Sequence, residues 1–125
     1  MSTDALLARL KLGSVPWNRW RTENPDLTIV LDGAKLDGLI LTGIDFSRVS
    51  LRKASLHATN LVNAKFSHAD LSNSNLRETD LIGANLEGAI LRGADLWEAD
   101  LLGANLANAD YEPADLTGAL HVASL

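Results

Sequence analysis

The sequence predicts an all-β solenoid, a coil whose wall turns a corner every five residues. Three observations carry that prediction. Leucine recurs at a period of five, a small residue sits two places before each leucine, and glycines gather two places after it.

Leucine returns at 76, 81, 86, 91 and 96, a step that matches neither the 3.6 of a helix nor the 2 of a strand. With that residue as the centre, centres run from 31 to 116 without a phase slip, eighteen in all: fifteen Leu, with Phe46, Phe66 and Tyr111. Two residues earlier stands Ala eleven times, Ser or Thr three times, and otherwise Ile29, Leu39, Ile44 and Val49. Residues two apart in extended chain point the same way, so both positions face inward and the residue between them faces out. The next two residues must turn the chain. A turn with positive φ at its third residue favours Gly or Asn. Apart from Gly13, all eight remaining glycines lie there, as do Asn63, Asn73 and Asn108. Phe46 and Phe66 are twenty residues apart, which suggests four walls per coil and a stack on one face. Ninety repeat residues at twenty per coil give about 4.5 coils, spaced by ~4.8 Å.

Three segments follow. Residues 1–28 form an N-terminal capping helix and leader, 29–118 the coil, and 119–125 a C-terminal tail. Thr3 or Asp4 can cap a short helix with Leu6, Leu7 and Leu10 on one face, stopped by Gly13. Val15, Trp17 and Trp20 then lie in an irregular leader ending at Pro25. An open coil end exposes core and unpaired backbone, so these residues read as a plug; stacking of Trp17 and Trp20 on a ligand is the competing role. At the other end, His121 stands where a centre is due, and Pro113 where φ should be positive, which proline cannot adopt. The turn there must be of another type. Little chain remains to cover the last coil, so the open end is a candidate homodimer contact.

This pattern resembles the pentapeptide-repeat family, and the resemblance covers residues 29–118. The N-terminal stretch VPWNRWRTENPDL is also similar to the leader of many cyanobacterial members. The resemblance implies a right-handed quadrilateral β-helix. Some members mimic DNA and bind type II topoisomerases, notably DNA gyrase. Those are longer dimeric rods with a dedicated C-terminal dimer element, which this sequence does not display.

Composition excludes several chemistries. There is no cysteine, hence no disulfide, thiolate site or cysteine nucleophile. No run approaches the ~18 apolar residues of a membrane span, and the acid in MSTDALLARLKLG argues against a secretory signal. A cytoplasmic location is the expectation. The net charge of −5 disfavours direct nucleic-acid binding. GxxxxG spacing recurs at 33/38 and 83/88, but Leu39 and Ala89 stand where a phosphate loop needs lysine. His57 and His68 fall on opposite faces, so neither joint metal ligation nor another cofactor is expected. The acids project from solvated walls with no predicted cleft, and the chain reads as a non-enzyme.

Two surfaces remain. From Glu78 onward nine acids face one base, Arg92, giving −8, while Val30–Arg77 holds four acids and six bases, giving +2. Asp80, Asp95, Asp100, Asp110 and Asp115 are the candidate acidic surface. Val62, Ile82 and Leu102, just after their centres at twenty-residue intervals, should form an exposed apolar ladder, with Trp97 on the neighbouring face. The function expected is a protein-interaction or scaffold module of unknown partner. The alternative is a DNA-mimicking binder of DNA gyrase. The ladder, like the open end, is a candidate homodimer contact.

Overall fold

The computed structural model describes residues 1–122. From Val30 onward each wall contributes a single parallel bridge residue, the one before the centre. Each pairs with the residue twenty ahead: Val30 with Ser50, Lys35 with Ser55, Ile40 with Asn60, Asp45 with Lys65, and onward to Asp100 with Leu120. Four walls of five residues therefore complete one coil. Sides one to four are those whose bridges begin at Val30, Lys35, Ile40 and Asp45. Phe46 and Phe66 meet within side four, their ring centroids 5.7 Å apart.

The corners follow the predicted turn chemistry. Ala34 N–H donates to the Leu31 carbonyl at 3.0 Å, closing a four-residue turn, and the same bond recurs along the rod. The third turn residue has positive φ at every corner from Gly33 to Gly118 except Pro113, where the Glu112–Pro113 bond is cis. The centres from Leu31 to Leu101 are almost wholly buried, whereas Leu106, Tyr111 and Leu116 are half-buried. Within the described residues nothing stacks on that last coil. Residues 119 and 120, assigned to the tail by sequence, continue the wall: Leu120 N–H donates to the Ala99 carbonyl at 2.8 Å. His121 then breaks the register with a φ of 62°. The predicted tail beyond 122 lies outside the described residues.

The N-terminal segment departs from the sequence reading in two ways. Helix α1 (Thr3–Leu10) is capped by Ser2, whose hydroxyl accepts from Ala5 N–H at 3.1 Å, instead of by Thr3 or Asp4. The supposed irregular leader is a second helix, α2 (Ser14–Glu23). Its proline, Pro16, sits in the first turn, where a missing N–H costs no hydrogen bond. The buried face of α2 is Trp17, Trp20 and Arg21, at i, i+3 and i+4. Only two of those three are apolar, so the stripe is easily missed.

Helix α2 lies against side four of the first coil, where no earlier coil exists to pair with the backbone. Its side chains supply the missing partners. Trp17 Nε1–H donates to the Asp45 carbonyl at 2.8 Å. Arg21 donates to the Asp45 and Ser47 carbonyls at 2.9 and 2.8 Å. Asn18 accepts from Asp45 N–H at 2.7 Å and donates to the Gly43 carbonyl at 2.9 Å. The Trp17 ring meets Trp20 at 5.1 Å and Phe46 edge-on at 5.6 Å, extending the phenylalanine stack into the helices. Leu6 and Leu10 are buried and Leu7 packs at the margin. With Trp17 and Trp20 both buried, neither offers a free ring face for a ligand.

Candidate interaction surface

The predicted ladder lies at the corner that follows side three. Gly43, Asn63 and Gly83 N–H groups donate to the carbonyls of Val62, Ile82 and Leu102, each at 2.8 Å, so the three residues stack coil upon coil. Val62 and Ile82 are half-buried and Leu102 is 49% exposed. The half-burial arises because neighbouring rungs cover one another. Val122, after the break at His121, is half-buried and has no main-chain bond to the corner of Leu102 and Gly103. Beside the ladder, the wall of side three carries Ile40 at one end, 74% exposed, and Leu120 at the other, 53% exposed. Sequence reasoning passed over these two. The signal was present: the pre-centre position is polar everywhere except Val30, Ile40, Ile90 and Leu120.

Trp97 does not join the ladder. It occupies the corner after side two, and Arg77 lies 4.6 Å over its ring. Arg77 also reaches Asp95 at 3.3 Å.

The candidate acids do not converge on one face. Asp80 and Asp100 lie on side three, Asp95 and Asp115 on side two, and Asp110 on side one. Four of the five serve their own corner. Asp80, Asp95, Asp100 and Asp115 accept the N–H of Ile82, Trp97, Leu102 and Thr117 at 3.2, 3.0, 3.1 and 3.0 Å. Asn60, Asn75, Asn85 and Asn105 make the same bond at 3.1, 3.0, 3.1 and 3.0 Å. Where the position carries an acceptor, a neutral amide serves the corner as well as a carboxylate does. His121, hydrogen-bonded at 2.8 Å, holds the Asp100 carboxyl below its ordinary value, helped by Leu102 N–H. The Thr117 hydroxyl and N–H do the same for Asp115. Asp110 faces Arg92 at 3.4 Å. The acids are thus dispersed around the rod and partly neutralised by Arg77 and Arg92.

His57 pairs with Glu78 at 2.7 Å. His68 lies at a different corner, over Gly88, where an added Cβ would come within 2.5 Å of its Nδ1. Among the described residues no cluster of three or more His, Cys, Asp or Glu is arranged to hold a metal ion. Grooves lie beside Arg9, Arg19, Trp20 and Glu23, beside Asn24, Pro25, Asp26 and Leu27, and beside Asp32, Arg52 and Lys53. None of these three brings a nucleophile and a base together. No helix among the described residues is long and apolar enough to cross a membrane.

Comparison with known proteins agrees with this geometry. The chain is similar to a pentapeptide repeat protein of the Arabidopsis thaliana thylakoid lumen, at 32% identity and a TM-score of 0.72, over 78% of this chain and 68% of that one. It is also similar to HetL, a pentapeptide repeat protein involved in heterocyst differentiation regulation from Nostoc sp. strain PCC 7120, at 39% identity and a TM-score of 0.43 over 74% of this chain. That match covers 48% of HetL, so the chain spans about half of it. QnrB1, a plasmid-mediated fluoroquinolone resistance protein, matches at 16% identity and a TM-score of 0.36, over 75% of this chain and 61% of that one. No curated protein matches significantly. The family model for pentapeptide repeats matches eight copies across residues 30–67, 59–97 and 91–120. Proteins of this kind form right-handed quadrilateral β-helices, and the chain belongs to the pentapeptide-repeat family.

Proposed function

We propose that this chain is a non-enzymatic protein-interaction or scaffold module that binds its partner through the apolar corner. The observation that carries the reading is the in-register series Val62, Ile82 and Leu102, flanked by Ile40 and Leu120 on a rod whose walls are otherwise mostly polar. A contiguous apolar strip on a polar surface is the usual mark of an interface. In this reading α1 and α2 cap the N-terminal end of about 4.5 coils, from ninety residues at twenty per coil. The protein works in the cytoplasm, with no cofactor and no direct contact to nucleic acid or membrane. The test is capture of partners from the source lysate with wild type and with Ile82→Glu as paired baits. A partner retained by wild type and lost with Ile82→Glu supports the reading. Equal capture by both baits refutes it.

A second reading, a DNA-mimicking binder of DNA gyrase, draws on the −8 carried by residues 78–125. Dispersal of the acids over three sides and their arginine partners weigh against it. A supercoiling assay decides. Inhibition at roughly micromolar protein that fades when Asp95, Asp100 and Asp115 become Asn supports mimicry. Those substitutions keep the corner acceptor, so they remove charge alone. No inhibition up to the solubility limit removes this reading.

A further inference from the structure

We propose that the apolar corner is occupied by a second copy of this chain, packed side by side and antiparallel, with Ile82 on the two-fold axis. The inference rests on reading that corner as an interaction surface and names the occupant. An isologous contact requires a patch that complements itself under rotation. The corner does so. With Ile82 on the axis, Val62 lies opposite the partner's Leu102. On the adjoining wall Ile40 lies opposite the partner's Leu120, and Asn60 opposite the partner's Asp100. All of these residues stand in the twenty-residue register of the main-chain ladder. Each of these apolar residues therefore meets an apolar residue.

The apolar pattern alone also permits a parallel pair, in which every rung meets its own copy. Charge decides between the two. Residues 1–77 carry ten bases and seven acids, or +3, and residues 78–125 carry one base and nine acids, or −8. A parallel pair sets −8 against −8. An antiparallel pair sets each acidic half against a basic one. The adjoining wall agrees. In a parallel pair the two-fold runs along the rods and side three faces the partner's side four, which sets Ile40 against Asp45; antiparallel packing keeps side three against side three, where Ile40 meets Leu120.

The strip from Ile40 to Leu120 covers four inter-coil steps, roughly 19 Å at ~4.8 Å each. At a width of about 10 Å it offers roughly 200 Å², well under the ~800 Å² per partner of a standard stable interface. Association is therefore weak and reversible, and it weakens with salt.

The chain has no cysteine, so single cysteines report register directly. Val62→Cys and Leu102→Cys, each checked for folding by circular dichroism, are mixed and oxidised at roughly 0.2 mM protein. The antiparallel dimer gives the mixed 62–102 cross-link in about tenfold excess over either homodimer, because only opposed positions bring their Cα atoms within about 7 Å. Excess of the two homodimers indicates parallel packing and overturns the inference. Sedimentation velocity supplies the second arm. Wild type should show dimer that falls severalfold between roughly 0.05 and 0.5 M salt, and Ile82→Glu should be monomeric. A wild-type monomer at the highest attainable concentration overturns the second-copy inference alone. The interaction reading would still stand if Ile82→Glu abolished capture of a different partner.

Discussion

Arg21 is the residue on which attachment of α2 to the first coil most depends. It is 7% exposed and donates to two backbone carbonyls, Asp45 at 2.9 Å and Ser47 at 2.8 Å. In Arg21→Met the apolar stem is kept and the guanidinium lost. Ser47 carbonyl then has no protein partner, whereas Asp45 carbonyl keeps Trp17 Nε1–H at 2.8 Å. An unsatisfied buried acceptor costs about 1–3 kcal/mol, and a second bond to a shared acceptor about 1 kcal/mol. Burial opposes the gain, since desolvation pushes the Arg21 pKa down against the pull of Asp45, and methionine removes that penalty. The net loss is about 2–3 kcal/mol. At ~2.1 cal/mol/K per residue the unfolding entropy of this chain is roughly 0.26 kcal/mol/K, so Tm should fall by about 10 °C. Thermal unfolding followed by circular dichroism measures this. Hydrogen exchange should show that protection is lost first in α1, α2 and the coil from Val30 to Val49, because solenoid stability is local. Trp17→Phe, which keeps the ring contacts and removes only one of two donors to Asp45, should cost about 1 kcal/mol. A Tm drop under about 2 °C for Arg21→Met would mean that water replaces the guanidinium freely and that α2 is held by its tryptophans alone.

Three further outcomes follow from the same geometry. Ser74 is 2% exposed and its hydroxyl has no partner, unlike Thr59 and Thr79, which donate to Leu56 and Leu76 carbonyls at 2.7 and 2.8 Å; Ser74→Ala should therefore stabilise by about 1 kcal/mol in chemical denaturation. Gly33 and Gly88 share a φ near +70°, but an added Cβ meets nothing at Gly33 and lies 2.5 Å from His68 Nδ1 at Gly88. Gly33→Ala should cost about 1 kcal/mol and Gly88→Ala more, the excess vanishing in the His68→Ala background. The Asp100 pKa is lowered in the folded chain by His121 and Leu102 N–H. Its contribution to stability is complete above the unfolded value of about 3.9 and lost as pH falls through the folded value. An NMR titration should place the carboxyl below the ordinary range in wild type and closer to it in His121→Ala.

The parts of the fold legible in the sequence are those where one residue type answers one backbone demand. Leucines fill an interior with no other occupant, and glycines sit where φ is positive. The phenylalanine pair, twenty residues apart, suggests four walls, and the family resemblance supplies that number and the handedness. Helix α2 was hidden because its coil-facing side chains combine two tryptophans with Arg21 and the half-buried Asn18, polar residues whose partners are main-chain atoms some 25 residues away. No periodicity reports such partners. Ile40 and Leu120 were hidden for the opposite reason: they occupy a position whose rule is polar, so their departure from it mattered more than their hydrophobicity. The acids were seen, but their bonds to the corners were not, because Asp and Asn at that position look like solvated surface.

Those corner bonds change what the acidic half means. Since Asn60, Asn75, Asn85 and Asn105 close their corners at the same distances as Asp80, Asp95, Asp100 and Asp115, the fold does not require a charge at any of these sites. The charge is an addition to a turn that is already satisfied. The residue after the centre is freer still. At Val62, Ile82 and Leu102 only the backbone is bound, the N–H to the pre-centre acceptor and the carbonyl to the preceding coil. Their side chains answer no demand of the coil. Two features of the surface are thus unconstrained by the architecture: an apolar corner, and acids gathered in the half that antiparallel pairing sets against a basic one. The fold is satisfied without either. Their combination on one rod is accounted for by a surface that has to be both sticky and directional.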